Sequence, residues 1–246
     1  MATPVFFLRD DDVFACDALF TELHRFFIKR DLSVVYGVIP AKMKKPFITQ
    51  MLAFKKKHPY AFDIAQHGFC HADHHRRGKD KYEFGPGRSY RAQAADIQKG
   101  WSLLEKAFGA HAVPAFLPPY DLFDQNTLKA VDAAGLKIMS CGAPARRAGK
   151  KFVWLPVDFM MNDFKADGTP VALDAKTMLA RLTARLPRAS VTGIGFHHYA
   201  IRTKKEMAEA KKFFNALTVL RDRKEIKLVL LSDILRMKAF SCSRAN

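Results

Sequence analysis

The sequence predicts an α/β barrel, with parallel strands wrapped by helices in a single domain. Three observations lead there. Apolar strand-like runs alternate with amphipathic helical stretches about seven times along the chain, the pattern of parallel strands covered by helices. No glycine-rich phosphate loop follows the first strand, so an open dinucleotide-binding sheet fits poorly. Polar residues able to do chemistry stand after five different strands, and parallel strands bring such residues to one rim, where barrel enzymes place their sites.

The elements follow in order. Val5, Phe6, Phe7 and Leu8 form a continuous apolar run, read as a buried first strand at 5–8. A helix near 17–29 shows helical spacing in Leu19, Leu23, Phe26 and Phe27. A strand at 33–39, a helix near 46–58 and a strand at 61–65 come next. The stretch 70–89 is the longest irregular segment, rich in His, Arg, Gly and charge, and a loop of that length in a compact domain is usually functional. A helix near 90–108 leads to a strand at 114–117. A helix near 125–134, periodic in Leu128, Val131 and Ala134, ends at Gly135, which suits a helix C-terminus before the strand at 137–140. Strands at 152–157, 192–196 and 227–231 and helices near 175–186, 204–222 and 232–237 complete the pattern. No internal repeat, low-complexity tract or linker interrupts it, so the whole of 1–246 is expected to be one domain.

With 49% hydrophobic residues the chain can bury a large core and is neither disordered nor fibrous. No apolar run is long enough to span a bilayer. The start, Met1-Ala2-Thr3-Pro4, lacks a basic region followed by a long apolar one, so no signal peptide and a cytoplasmic setting are expected. Cys16, Cys70, Cys141 and Cys242 are scattered, which argues against a zinc ribbon or a disulfide framework, and Cys70 is expected to pack inward. The net charge of +17 invites three partners: nucleic acid, an anionic membrane surface or an anionic small substrate. The basic residues are spread, however. Lys42-Met43-Lys44-Lys45 and Lys55-Lys56-Lys57 look like loop and solvated helix faces, and Arg76-Arg77 and Arg146-Arg147 fall in loops. No nucleic-acid motif accompanies them, so no nucleic-acid partner is expected and a basic soluble surface is the simpler reading.

The acidic run Asp10-Asp11-Asp12 directly follows the first strand. Three adjacent carboxylates repel one another unless a cation or protons intervene. A turn with Asp12 or Asp17 as helix N-cap accounts for one aspartate and leaves the others unexplained. His67 and His71 follow the third strand, four residues apart; on a helical turn that spacing puts both imidazoles on one side, able to grip one ion. His74 and His75 nearby leave the choice of ligands open. Carboxylates at one strand end and a His pair at another are the parts of a divalent-metal site, usually hydrolytic. Pro118-Pro119-Tyr120, Asp158 and His197-His198 stand at three further strand ends. A rim histidine facing a metal suits general acid catalysis, because its pKa lies near neutrality; a pair of polar loop residues is the plain alternative. His24, His58 and His111 are expected as surface or packing residues.

The order Arg9-x-Asp11-Asp12, His67-x-x-x-His71, Phe116-x-Pro118-Pro119-Tyr120 and a late strand ending in His197 resembles the polysaccharide deacetylase (nodulation-type deacetylase homology) superfamily, as a divergent branch. The resemblance spans Phe6 to about His198 and implies a distorted barrel of about seven strands, a (β/α)7-type fold. It implies Asp11 as catalytic base, Asp12, His67 and His71 as metal ligands, and His197 as general acid. Phe116 to Tyr120 would line the groove, Pro119 within it, with the Tyr120 N–H binding the oxyanion. Trp154 and Asp158 fall near the motif that contributes an aromatic wall and an acidic partner. Two positions depart from the family pattern. Leu117 replaces a basic residue that tunes the base, a loss for which Arg9 offers electrostatic compensation, and His198 stands where an Asp usually follows the final histidine.

The implied activity is a metal-dependent hydrolase that removes N-acetyl groups from a sugar or glycan precursor, with zinc as the first choice of divalent ion. The positive charge favours an N-acetylated carbohydrate carrying phosphate or uronate. His198, Pro119, Tyr120, Trp154 and Asp158 are the candidate substrate-binding residues. The alternatives are another metal-dependent amidohydrolase acting on a non-sugar C–N bond, and a carbohydrate-binding relative without turnover.

Overall fold

A computed structural model of the protein describes residues 3–75, 81–142, 152–185 and 191–242. Six parallel strands lead off in chain order: β1 (Val5–Val13), β2 (Val34–Val38), β3 (Phe62–His67), β4 (Ala112–Leu117), β5 (Ile138–Cys141) and β6 (Val153–Met160). An antiparallel hairpin of β7 (Asn162–Phe164) and β8 (Pro170–Ala172) follows. β9 (Val191–Phe196) then pairs with both β6 and β1, from Val5↔Val191 to Asp10↔Phe196, and closes a seven-stranded parallel barrel. The expected barrel is thus observed. The last strand expected from the sequence, at 227–231, is only the two-residue β10 (Lys227–Leu228), paired with β1 at Val5 and Phe6. It sits beside the start of β1, whose pairing with β2 begins only at Leu8.

Among the described residues, seven α-helices surround or close the barrel: α1 (Ala18–Arg30), α2 (Lys45–Lys57), α3 (Tyr90–Phe108), α4 (Gln125–Ala133), α5 (Ala175–Thr183), α6 (Lys204–Asp222) and α7 (Leu231–Cys242). Their ends follow local chemistry. The Asp17 carboxylate accepts the Phe20 N–H at 2.8 Å and starts α1. Asp124 with Thr127, and Thr203 with Glu206, form reciprocal capping boxes for α4 and α6. Gly135, at φ 76°, ends the α4 segment as expected. In α1 the buried residues Phe20, Leu23, His24 and Phe27 repeat at helical spacing and face the strands. His24 proves to be a packing residue, its Nδ1 2.8 Å from the Tyr36 hydroxyl.

Alternation along the strands divides the core in two. Phe6, Leu8, Ile194 and Phe196 face outward and pack under the helices with Phe27, Phe213 and Phe214. Phe7, Val35, Ala65, Ala115, Leu117, Ile138, Leu155 and Val157 fill the barrel interior. Leu230, Leu231 and Ile234 join this inner cluster, so α7 plugs the end of the barrel where the strands begin. The buried Asp63 carboxylate accepts the Ser232 N–H at 2.8 Å and fixes the plug. Phe7 needs the bare backbone of β9: a Cβ at Gly193 would lie 2.6 Å from its ring.

Three boundaries differ from the sequence expectation in ways that matter for function. β1 continues through the acidic run, because both its edges remain paired as far as Asp10. His67 is the last residue of β3, not part of a helical turn. β6 runs to Met160, and the hairpin after it was not anticipated, although Asp167-Gly168 between Lys165 and Thr169 is a turn signal. The Arg76-Arg77 and Arg146-Arg147 pairs lie outside the described residues. Truncation of Phe7 tests the inner core. Phe7→Ala should lower stability by about 3–5 kcal/mol in urea unfolding, whereas the surface change Val219→Ala should stay within about 0.5 kcal/mol.

Candidate active site and metal centre

Three consecutive carboxylates leave the end of β1 in three directions. Asp10 faces outward by strand alternation and Asp11 inward. The strand then bulges between Asp10 and Val13, and Asp12 takes a left-handed backbone with φ 62°. Asp10 accepts the His198 backbone N–H at 3.0 Å, and its two oxygens lie 3.1 and 3.0 Å from His198 Nδ1. Burial opposes a charge on His198, but the adjoining Asp10 outweighs it and holds the imidazole pKa above its ordinary value.

Asp11 meets Arg9 two residues earlier on the same inward face. Asp11 Oδ2 accepts from Arg9 Nε at 3.1 Å and from Nη2 at 2.7 Å, a two-pronged contact. Arg9 Nη1 reaches across the barrel and donates to the Ser140 carbonyl at 2.9 Å and its hydroxyl at 3.1 Å. Both charged residues are buried, at 2% and 3% exposure, so neither tolerates loss of the other. Burial works against the guanidinium charge, yet Asp11 and Asp121 raise its pKa further. The Leu117 side chain stays in the apolar inner cluster, and the guanidinium on Asp11 comes from β1 instead. Asp11 Oδ1 is buried and carries no hydrogen bond, and the residue lines the cleft.

Asp12 Oδ1 lies 3.2 Å from His67 Nε2 and 2.9 Å from His71 Nε2. Among the described residues, these three form the group of ligand atoms that converges within 4.8 Å. His67 Nδ1 sits 3.1 Å from the Leu117 carbonyl, which requires a proton on Nδ1 and turns Nε2 toward Asp12. Asp12 Oδ2 accepts the Tyr199 hydroxyl at 2.9 Å. Burial would raise the Asp12 pKa, but hydrogen bonds from His67 and His71 hold it far below the carboxylate range. Burial likewise opposes a charged His67, and Asp11 and Asp12 overcome it. This negative field, with one tautomer fixed and Asp12 Oδ1 buried, fits a divalent cation on an Asp/His/His set, and such nitrogen–oxygen sets suit zinc. His71 reaches the centre from a loop, at φ 58°, so the four-residue spacing works through a doubled-back turn. His75 stacks instead on Tyr82 at 5.0 Å.

The opposite wall comes from β9 and the hairpin. His197 Nδ1 lies 3.1 Å from Asn162 Oδ1, and Nε2 points into the site, 3.8 Å from Asp12 Oδ2. Burial pushes its pKa down. Phe164 packs edge-on against the same ring at 5.5 Å. Tyr120, at φ 59° in the turn after Pro119, packs at a tilt against His71 at 4.5 Å and donates its hydroxyl to the His71 carbonyl at 3.3 Å. Burial, with nearby carboxylates, raises the Tyr120 phenol to about 12. Asp11, Asp12, His67, His71, Tyr120 and His197 all open on one cleft of about 750 Å³. Lys81 and Lys165 also line it.

The remaining sequence candidates lie elsewhere. Pro119 is buried against Gly68 at the floor of the turn. Trp154 packs on Phe123 at 5.6 Å, outside the barrel. Asp158 is exposed on the outer face of β6, where it accepts the Thr192 hydroxyl at 2.9 Å, because β6 continues past it. His198 is held by Asp10 and lines a neighbouring pocket with Asp17 and Tyr199 rather than this cleft. Asn162 and Tyr199 were missed: Asn162 sits in the unanticipated hairpin, and Tyr199 simply follows the two histidines. The Arg9–Asp11 pair makes a stability prediction. Arg9→Met strands a buried carboxylate and should cost about 3–5 kcal/mol, and adding Asp11→Leu should recover much of it in the same denaturation assay.

No family model matches the sequence, and no curated protein matches it. Solved structures do resemble the fold. A family 4 acetyl xylan esterase from Clostridium thermocellum, in complex with cobalt, superposes with a TM-score of 0.62 at 11% identity, covering 96% of this chain and 92% of the esterase. A peptidoglycan deacetylase from Bacillus subtilis gives 0.60 at 14% identity, covering 99% and 95%. A 4-alpha-glucanotransferase from Thermococcus litoralis gives 0.64 at 11% identity over 96% of this chain but only 40% of its own. At such identities the likeness speaks of the fold alone: the chain has the closed parallel barrel of the family 4 carbohydrate esterases and polysaccharide deacetylases.

Proposed function

We propose that the protein is a metal-dependent hydrolase that removes N-acetyl groups from a sugar or glycan precursor. One observation carries this reading. A carboxylate with a free oxygen, an Asp/His/His cluster and an inward imidazole face one another across a single cleft. Those are a base, a cation site and an acid, the parts that amide hydrolysis requires. The acetylated polysaccharides named for the neighbouring esterase and deacetylase support the substrate class.

Asp12, His67 and His71 would hold the ion, with zinc as the first choice. A divalent ion held there would supply Lewis-acid polarisation of the acyl carbonyl and a better water nucleophile near neutral pH. Asp11 Oδ1, the oxygen that Arg9 leaves without a hydrogen bond, takes the proton of the attacking water. Arg9 holds the opposite oxygen of Asp11 and keeps the carboxylate from rotating away. The Tyr120 N–H stabilises the oxyanion from the turn that also packs His71 in place. His197 acts in its doubly protonated form: it gives the Nε2 proton to the departing amine and becomes neutral, while its Nδ1–H stays on Asn162 Oδ1 and fixes the ring. Lys81 and Lys165 on the cleft support a substrate bearing phosphate or uronate. No helix among the described residues is long and apolar enough to cross a membrane, and a cytoplasmic setting belongs to this proposal.

Elemental analysis of the purified protein tests the centre, and acetate release from N-acetylated sugars tests the reaction. Near-stoichiometric divalent metal is expected, lost together with activity in Asp12→Ala and in the His67→Ala, His71→Ala double variant. Asn162→Ala should keep its metal and lose about tenfold or more in kcat, since its side-chain oxygen meets the acid and none of the three proposed ligands. A fully active Asp12→Ala enzyme would sink the assignment.

A further inference from the structure

Glu83 is a fully buried carboxylate in the long loop after β3, and the proposed reaction gives it no part. Its side chain accepts three successive backbone N–H groups. Those of Cys70 and His71 reach Oε1 at 2.7 and 3.0 Å, and that of Phe69 lies 3.2 Å from each oxygen. The segment is curled by two left-handed residues, Gly68 at φ 59° and His71 at φ 58°. Consecutive N–H groups curled in this way form an anion-binding concavity. Here the anion is the chain's own.

The fit is close. A Cβ at Gly68 would stand 2.0 Å from Glu83 Oε2 and 2.5 Å from the Pro119 ring, so only glycine admits the carboxylate. Burial first, and the Glu83 charge second, raise the pKa of the neighbouring Cys70 thiol. The clamp is itself anchored. Arg88 donates to the Glu83 carbonyl at 2.9 Å and pairs with Asp96 of α3 at 2.6 Å. The next residue, Phe84, is buried edge-on against Phe116 of β4 at 5.3 Å. A non-glycine residue such as His71 keeps a left-handed backbone only where its surroundings impose it. The contact that imposes it falls on the backbone N–H of His71 itself.

We propose that Glu83 is a positioning residue for the metal centre: by gathering the N–H groups of 69–71 it holds His71 Nε2 against Asp12 Oδ1, and so sets the affinity for a divalent ion. This rests on the reading of Asp12, His67 and His71 as ligands. A neutral amide in its place removes the charge that the three N–H groups share and turns an NH2 group toward the Phe69 N–H, which should loosen the turn. Supporting contacts one step behind the ligands typically contribute 10–100-fold in metal affinity.

The test is a zinc titration of the metal-free, full-length protein against a chromogenic chelator, well below the melting temperature. Wild type, Glu83→Gln and Leu104→Ala are compared. Leu104 lies buried in α3, so its truncation lowers stability without touching the turn. Glu83→Gln should weaken zinc about 10–100-fold, while Leu104→Ala should keep wild-type affinity despite a comparable fall in Tm. Should Glu83→Gln fail to fold, Glu83→Asp, which withdraws the carboxylate by one methylene, should also bind zinc more weakly. Wild-type affinity in the folded Glu83 variant overturns the positioning role alone. Absence of zinc binding in the wild type overturns the ligand assignment, and the positioning role falls with it.

Discussion

Three negative charges on consecutive residues at the end of a buried strand are the constraint around which this molecule is organised. Left together in a low-dielectric interior they would repel strongly. The chain separates them by geometry and gives each its own partner. Asp10 is turned outward to His198, Asp11 inward to Arg9, and Asp12 is swung by a left-handed backbone to His67 and His71. Each partner comes from a different place. Arg9 is braced on β5 through Ser140, His67 ends β3, and His198 follows β9. Satisfying the charges of one strand therefore ties together strands on opposite sides of the barrel, and the site and the closure support each other.

The barrel interior is graded from apolar to charged. Along β1, Phe7 lies among the aliphatic residues closed off by α7, Arg9 comes next, and Asp11 opens on the cleft. The aliphatic floor excludes water from beneath the charges, which strengthens the Arg9–Asp11 contact and makes it costly to break. A site built so is preorganised: its groups are held by strand pairing and by buried contacts before any ligand arrives. The loops complete this arrangement rather than cover it. The segment after β3 returns through Glu83 to brace the His67–His71 turn, and the β7–β8 hairpin supplies Asn162 and Phe164 behind His197.

Much of this was legible in local sequence. Helical spacing in residues such as Leu23 and Phe27, the glycine at 135 and the apolar runs at 5–8 and 192–196 locate elements through interactions close along the chain. The alternation of strands and helices then favours a barrel, because polar residues at several strand ends must meet somewhere. The hairpin was missed because its strands are short and half-exposed, with no apolar period to betray them. Asp158 was misplaced at the rim because a strand end depends on its neighbour's pairing, and β9 keeps β6 paired as far as Met160.

By itself, then, the sequence determined the α/β barrel and the gathering of Asp11, Asp12, His67, Tyr120 and His197 at one rim, though it also put Asp158 and His198 there. Residue type and spacing carry this, since strand ends in a parallel barrel share one face. Only the tertiary structure decided which carboxylate meets which partner. Whether a side chain at a strand end faces in or out depends on bulges and left-handed residues, such as those at Asp12 and His71, that local pattern does not announce. The same holds for Arg9 standing on Asp11, Asn162 behind His197 and Glu83 beneath the His67–His71 turn. Each of these contacts joins residues whose side-chain directions are set by the closed barrel and its returning loops, and by nothing nearer in the chain.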